Sequence, residues 1–282
     1  MLVVKEISEL KSHIAKLKEG GKTVGFVPTM GALHCGHLSL VAEAGRQTDF
    51  VVVSIFVNPT QFNDPKDLEK YPRNLDRDLA LLEPTACQLV FAPEADTIYP
   101  EPDTRNFDFG QLETVMEGRF RPGHFNGVAQ VVSKLFYLVE PDKAFFGLKD
   151  FQQLVIIKAM VKQLTLPVEI VPCPIVREAD GLAMSSRNQR LSPEQRKNAA
   201  RIYKTLTEAG NMAANLSVEE LKRQVVEQID ANPYLKTEYF EIVDDETLSP
   251  VKQWSDPVNK VACIAVFCGE VRLIDNLVFN IN

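Results

Sequence analysis

No apolar run in this sequence of 282 residues approaches the roughly 18 residues needed to cross a bilayer. The longest, such as Val261 to Cys268, are less than half that length, and no membrane span is expected. Cysteine is scarce and odd in number. Cys35, Cys87, Cys173, Cys263 and Cys268 lack the paired spacing of a zinc site, so neither a disulfide framework nor a protein-held metal is expected. Met1 to Leu10 mixes charge and apolarity as an amphipathic helix would and lacks the continuous apolar core of a signal peptide. Together with reduced thiols this reads as a cytoplasmic protein. Basic residues are not in excess: 31 Lys and Arg stand against 38 Asp and Glu, a net charge of −7. That balance argues against nucleic acid or an anionic membrane as partner, and leaves room for a local basic pocket. Repeats and low-complexity segments are also missing.

What is present is the make-up of a folded protein, 45% hydrophobic and 24% charged, long enough at roughly 150 residues per domain for about two domains. Thr23 to Thr29 and Phe50 to Val57 are short, nearly continuous β-rich apolar runs, the pattern of parallel strands buried on both faces. Between them His37 to Arg46 carries Leu38, Val41 and Ala42 at helical spacing, which makes a βαβ unit. The alternation predicts helices near Asn74–Leu82, Gly127–Val139 and Phe151–Leu164, with strands at Gln88–Ala92, Lys143–Phe146 and Val168–Val171. The fold class is therefore α/β, an open parallel sheet of Rossmann-like type. After Pro174 a polar loop leads to helices (Pro193–Met212, Val218–Ala231) and then strands (Tyr239–Val243, Lys260–Phe267, Val271–Leu273), a smaller α+β lobe. The boundary falls between residues 176 and 188 and is placed so as to give domains 1–182 and 183–282.

Two segments could carry chemistry. Pro28-Thr-Met-Gly-Ala-Leu-His34-Cys-Gly-His37 joins the first βαβ strand to its helix, where free N–H groups and the helix dipole favour phosphate. Its glycines match neither the P-loop nor the dinucleotide fingerprint. Met184-Ser-Ser-Arg187 offers two hydroxyls and a guanidinium, a compact donor set for phosphate oxygens. Read alone, the first could be a helix-capping histidine pair and the second a serine-rich turn between domains.

Taken together, His-x-Gly-His at the first turn and Ser-Ser-Arg after the last strand of the same sheet resemble the nucleotidylyl-transferase superfamily, whose HIGH-type and KMSKS-type elements grip ATP from two sides. Phe56-Val-Asn-Pro-Thr-Gln-Phe62, Tyr71-Pro-Arg73, Arg121-Pro-Gly-His-Phe125, Phe146-Gly-Leu-Lys-Asp-Phe-Gln-Gln153 and Met184-Ser-Ser-Arg-Asn188 are similar, in order, to the pantothenate synthetase (pantoate–β-alanine ligase) family. Cys35 stands where the family usually has an acidic residue and Leu148 where it often has Glu. Cys35, near a helix N-terminus, is either an oxidation-sensitive thiol or a small filler.

The resemblance implies that pantoate attacks the α-phosphate of ATP, supplied with Mg2+, and that β-alanine then displaces AMP from pantoyl adenylate. It implies that His34, His37 and Lys149 are catalytic, His37 and His34 donating to phosphates as protonated or strongly donating imidazoles. ATP would contact Met30, Gly31, Ala32, Leu33, His34, Cys35, Gly36 and His37, then Gly147, Leu148, Lys149 and Asp150, the backbone of Val176, and Met184, Ser185, Ser186 and Arg187. Gln61 and Gln153 would bind pantoate, with Gln61 also facing β-alanine. Asn58 and Asp78 would orient these groups, the magnesium or the ribose. Arg119, Arg121 and His124 would form a mobile cover, or else be surface charges. A homodimer is implied by the same analogy. No base is visible for deprotonating the β-alanine ammonium, whose pKa is near 10. The alternatives are another transferase of the superfamily that adenylates a phosphorylated acceptor, and a nucleotide-binding module without turnover. Gln at positions 61 and 153 speaks against the first, since a phosphorylated acceptor calls for Arg or Lys.

Overall fold

A computed structural model describes residues 1–62, 68–69 and 71–279. Its larger sheet has the order β1-β4-β3-β2-β5-β6, with every pair parallel. The strands are β1 (Leu2–Val4), β2 (Val24–Thr29), β3 (Phe50–Ile55), β4 (Cys87–Phe91), β5 (Lys143–Gly147) and β6 (Glu169–Cys173). The continuous apolar runs are explained by cover on both faces. Phe26, Val52 and Leu89 face one core with Phe136 and Ile157, while Val27, Val53 and Val90 face another with Val41 and Leu82. The helices supplying that cover are α1 (Ile7–Glu19), α2 (Cys35–Gln47), α3 (Leu75–Leu82), α4 (His124–Val139) and α5 (Phe151–Gln163). Strand order reverses between β2 and β5, whose carboxyl ends adjoin; in open α/β sheets that crevice is where ligands bind.

The amphipathic helix expected from residue 1 begins only at Ile7. Leu2–Val4 instead pairs with Leu89–Phe91 as an edge strand that buries Val4 completely. Three β-branched or apolar residues ahead of Lys5 and Glu6 suit a short strand as well as a helical turn, and the free edge of β4 decides between them.

The smaller lobe is an antiparallel sheet of β7 (Leu235–Asp244), β8 (Lys260–Cys268) and β9 (Val271–Phe279), with α6 (Arg201–Met212) and α7 (Val218–Asp230). The single helix expected over Pro193–Met212 is two, Pro193–Ala199 and α6, meeting at Ala200. Alternate residues of β8 serve two cores. Ala262, Ile264 and Val266 pack under α6 and α7, and Val261 and Cys263 pack on Met116, Phe151 and Val155 of the larger lobe. This double cover is why the run reads as uniformly apolar, and it docks the small sheet against the start of α5. Among the described residues no helix is long and apolar enough to cross a membrane.

Candidate active site

The loop leaving β2 is tied down before it reaches the histidines. Thr29 Oγ accepts from Gly31 N at 3.1 Å and donates to Ser54 O at 2.7 Å. Asp78, near the start of α3, accepts from Ala32 N at 2.9 Å and Leu33 N at 2.8 Å. Burial raises the Asp78 pKa, opposed by those two N–H groups. Asp78 therefore braces the loop.

His34 is the N-cap of α2 and His37 its third residue, and they cap reciprocally. His34 Nδ1 accepts from Gly36 N at 3.1 Å, and His37 Nδ1 accepts from the backbone N–H of His34 at 3.3 Å. A Cβ on Gly36 would sit 2.8 Å from the His34 ring, so glycine is what lets the imidazole lie over the helix end. With Nδ1 of each ring accepting, the proton resides on Nε2. Burial, then the positive charge of Lys149, lowers His34 to about 4; burial, then His34 and Lys149, lowers His37 to about 3. Both rings are thus neutral Nε2–H donors near pH 7. Of the two states expected from sequence, the fold selects the neutral one, and the same two residues both cap α2 and line the cleft.

Asn58 is fully buried. Its Nδ2 donates to Gln61 Oε1 at 3.2 Å and Gly127 O at 3.1 Å, while its Oδ1 accepts from Tyr99 Oη at 2.9 Å. Gln61 Oε1 is thereby occupied and its Nε2 donors face Met30 Sδ, 3.0 Å away, and the cavity. α4 seats directly on this turn: a Cβ at Gly127 would lie 2.5 Å from Thr60 O and 2.9 Å from Gln61 Cα. Gly127→Ala is expected to destabilise the protein by about 1–3 kcal/mol through overpacking and to shift Gln61. Urea unfolding checks this, and a change below about 0.5 kcal/mol would contradict it.

Lys149 sits in the 3-10 turn Leu148–Asp150 between β5 and α5. Its side chain is only 19% exposed, with Nζ 3.7 Å from Asp150. Ser185 caps the turn Ser186–Arg190 by accepting from Arg187 N at 3.2 Å, and Met184 N donates to Val176 O at 3.0 Å. Ser186 is buried and hydrogen-bonded to Tyr71, whose phenol is raised by burial.

These elements enclose one cleft of about 1260 Å³, measured out to its open mouth. Met30, His34, Gly36, His37, Gln61, Gly147, Lys149, Asp150, Gln153, Val176 and Met184 through Arg187 all line it. Gly31, Ala32, Leu33, Cys35 and Leu148 do not. Leu33 is buried in the core beside Val41, Cys35 is an exposed thiol, and Leu148 packs beside the start of α5. A smaller cavity of about 660 Å³ shares Met30, Gln61, Lys149, Asp150, Gln153 and Arg187 with the cleft and extends it to Arg121, His124, Tyr239, Asp275 and Asn276.

The expected Arg119–His124 cover is not one unit. Arg119 is exposed on the short helix Met116–Phe120. Arg121 is partly buried, 3.6 Å from Glu117. His124 opens α4, buried, with Nδ1 2.8 Å from Gln61 O; a carbonyl only accepts, so Nδ1 carries the proton there. Burial and the charge of Arg121 lower His124 to about 4. Sequence reasoning assigned no role to Tyr71, Glu117, Tyr239 or Arg272. Against the upward push of burial, Arg272 at 2.7 and 2.8 Å, with Arg121 and Tyr239, holds Glu117 at about 2. Tyr71 stands in a motif, but nothing local ties it to Ser186, and no local signal marks the other three as a group, because Glu117 meets Tyr239 and Arg272 across more than a hundred positions. Among the described residues no group of three His, Cys, Asp or Glu gathers to hold a metal.

The model of the family described as pantoate-beta-alanine ligase matches residues 2–278. A pantothenate synthetase of Phocaeicola vulgatus is 58% identical over 278 residues, covering 98% of this chain and 99% of that protein. That of Bacteroides thetaiotaomicron is 56% identical over 277 residues, covering 98% of each. Among solved structures, a pantothenate synthetase from Thermus thermophilus superposes with a TM-score of 0.92 at 47% identity, covering 98% of this chain and 99% of that one. The pantoate-beta-alanine ligase from Francisella tularensis, complexed with beta-gamma ATP and beta-alanine, does so at 0.83 and 34% identity, covering 100% and 99%.

Proposed function

The chain belongs to the pantoate-beta-alanine ligase family, and we propose that it condenses (R)-pantoate with β-alanine at the expense of ATP, through pantoyl adenylate, releasing pyrophosphate and AMP. The observation carrying this reading is the convergence of His34, His37, Lys149, Arg187, Gln61 and Gln153 on one cleft at the strand-order reversal.

The pantoate carboxylate, ionised near pH 7, needs no base to attack the α-phosphorus. The bond to the bridging oxygen breaks as the new one forms, and charge grows on the departing pyrophosphate. The Nε2–H groups of His34 and His37 and the Lys149 ammonium are preorganised to receive that charge. ATP enters as its magnesium complex, the ion carried by the phosphates. The Gln61 amide, its oxygen held by Asn58, offers N–H donors to pantoate or β-alanine oxygens, and Gln153 supplies a second amide to pantoate. Lobe 183–282 contributes the Met184–Arg187 turn and closes the cleft opposite lobe 1–182. We read the protein as a cytoplasmic homodimer, on the family resemblance; sedimentation would test the dimer.

Incubation with ATP, magnesium, pantoate and β-alanine should yield AMP and pyrophosphate in equal amounts. ADP, or full turnover to AMP without β-alanine, would overturn the ligase reading. Gln61→Ala should raise the KM for pantoate about tenfold or more with a smaller change in the KM for ATP, as loss of a substrate hydrogen bond does. Steady-state kinetics with each substrate varied decides it.

A further inference from the structure

Position 276 lies in β9 of the smaller lobe, yet its side chain ends on the larger one. Asn276 is buried, and its Nδ2 donates to Leu148 O at 2.8 Å and to Lys149 O at 3.0 Å. Both protons of one amide are therefore spent on two successive carbonyls of the turn that carries Lys149. The backbone that carries this side chain is itself set from behind. Asp275 Oδ1 accepts from Asn276 N at 2.8 Å, and Arg177 grips the same carboxylate through two nitrogens at 2.6 and 2.9 Å. The Arg177 guanidinium also lies 3.7 Å from the Tyr203 ring centroid, which fixes its plane. Asp275, Asn276 and Lys149 all border the smaller cavity.

We propose that Asn276 is a positioning residue for Lys149, so that docking of the smaller lobe sets where the lysine ammonium stands in the ATP cleft. This rests on the role given to Lys149 above. A lysine side chain has four rotatable methylenes, and its reach is defined only when its backbone is held; two convergent hydrogen bonds from the other lobe hold it. The Asn276 side chain touches backbone, not the reacting groups, and acts through Lys149. A displacement of the smaller lobe by even about 1 Å would carry the turn with it, and misplacement of that size can cost about a hundredfold in rate.

The test is a double-mutant cycle on single-turnover pyrophosphate formation from ATP, magnesium and pantoate. Asn276→Ala should lower the rate about 10- to 100-fold while the ATP concentration at half saturation moves less than about threefold. Asn276→Ser, with a shorter side chain and a single donor, should fall between, and it carries the cycle should the alanine variant fail to fold. In a Lys149→Met background the same Asn276 substitution should change the residual rate by less than about twofold, because the group it positions is gone. Equal losses in both backgrounds would overturn the proposal, as would near wild-type rates for both Asn276 variants. A Lys149→Met protein at the wild-type rate would instead remove the role of Lys149 itself, and the positioning role with it.

Discussion

Replacing His37 by alanine is expected to lower kcat for AMP formation about 10²- to 10³-fold, with the KM for ATP changing less than about threefold. The imidazole presents a neutral Nε2–H to the cleft, and in the proposed reaction the charge that such a donor would meet is larger on departing pyrophosphate than on bound ATP. Its contribution is thus greatest in the transition state and appears in kcat. Alanine also removes the bond that His37 Nδ1 accepts from His34 N, so a loss of activity could follow from a frayed helix start instead. Two further variants separate these causes. Asn places an amide atom near the Nδ1 position and can keep the cap, but lacks a donor that reaches as far as Nε2. Gln places its amide near Nε2 and restores a donor to the cleft. His37→Gln should recover part of kcat and His37→Asn should not; the reverse order would mean that capping, and not donation, is what the ring contributes.

Acid should destabilise the protein well above the range in which carboxylates protonate. His34, His37 and His124 have folded-state values of about 4, about 3 and about 4, against 6.5 for the ordinary side chain, with burial the largest cause in each. Well above pH 6.5 all three are neutral whether the chain is folded or not, and contribute no pH dependence. Below pH 6.5 the unfolded chain takes up a proton at each and the folded one does not, so stability falls as pH falls, by up to about 1.4 kcal/mol per pH unit per histidine, until the folded values are reached. Between pH 7 and pH 5 the three together remove on the order of 5 kcal/mol, a large part of the stability of an ordinary domain. Glu117, held at about 2, is ionised throughout that window and adds its own loss only below it. Urea unfolding at pH 7.5 and pH 5.0 measures the effect. His37→Gln should reduce the difference by roughly a third. A difference below about 1 kcal/mol for the wild type would show that the folded imidazoles accept protons.

Much of the larger lobe was legible because its determinants are local. Phe50–Ile55 is apolar at every position but one, and its shortness and β-branched content mark it as a strand covered on both faces. Leu38, Val41 and Ala42 declare a helix by their period alone. The elements that escaped local reading are those whose state a distant partner decides. Leu2–Val4 is a strand because β4 has an open edge. β9 runs on to Phe279, past Asp275 and Asn276, because those polar residues find Arg177 and the Lys149 turn across the lobe junction. His124, expected in a cover segment, is a buried helix start whose Nδ1–H finds an acceptor in the distant Gln61 carbonyl.

By itself the sequence determined the parallel sheet, the helix that follows its second strand, and the two motifs that flank the cleft, since strand burial, helical period and motif spacing are all written in neighbouring residues. The tertiary structure alone decided the protonation state of the paired histidines, the orientation of the Gln61 amide and the grip of the smaller lobe on Lys149. Each of these depends on burial and on partners that the chain brings together only by folding, from the three positions separating His34 and His37 to the more than a hundred separating Lys149 and Asn276.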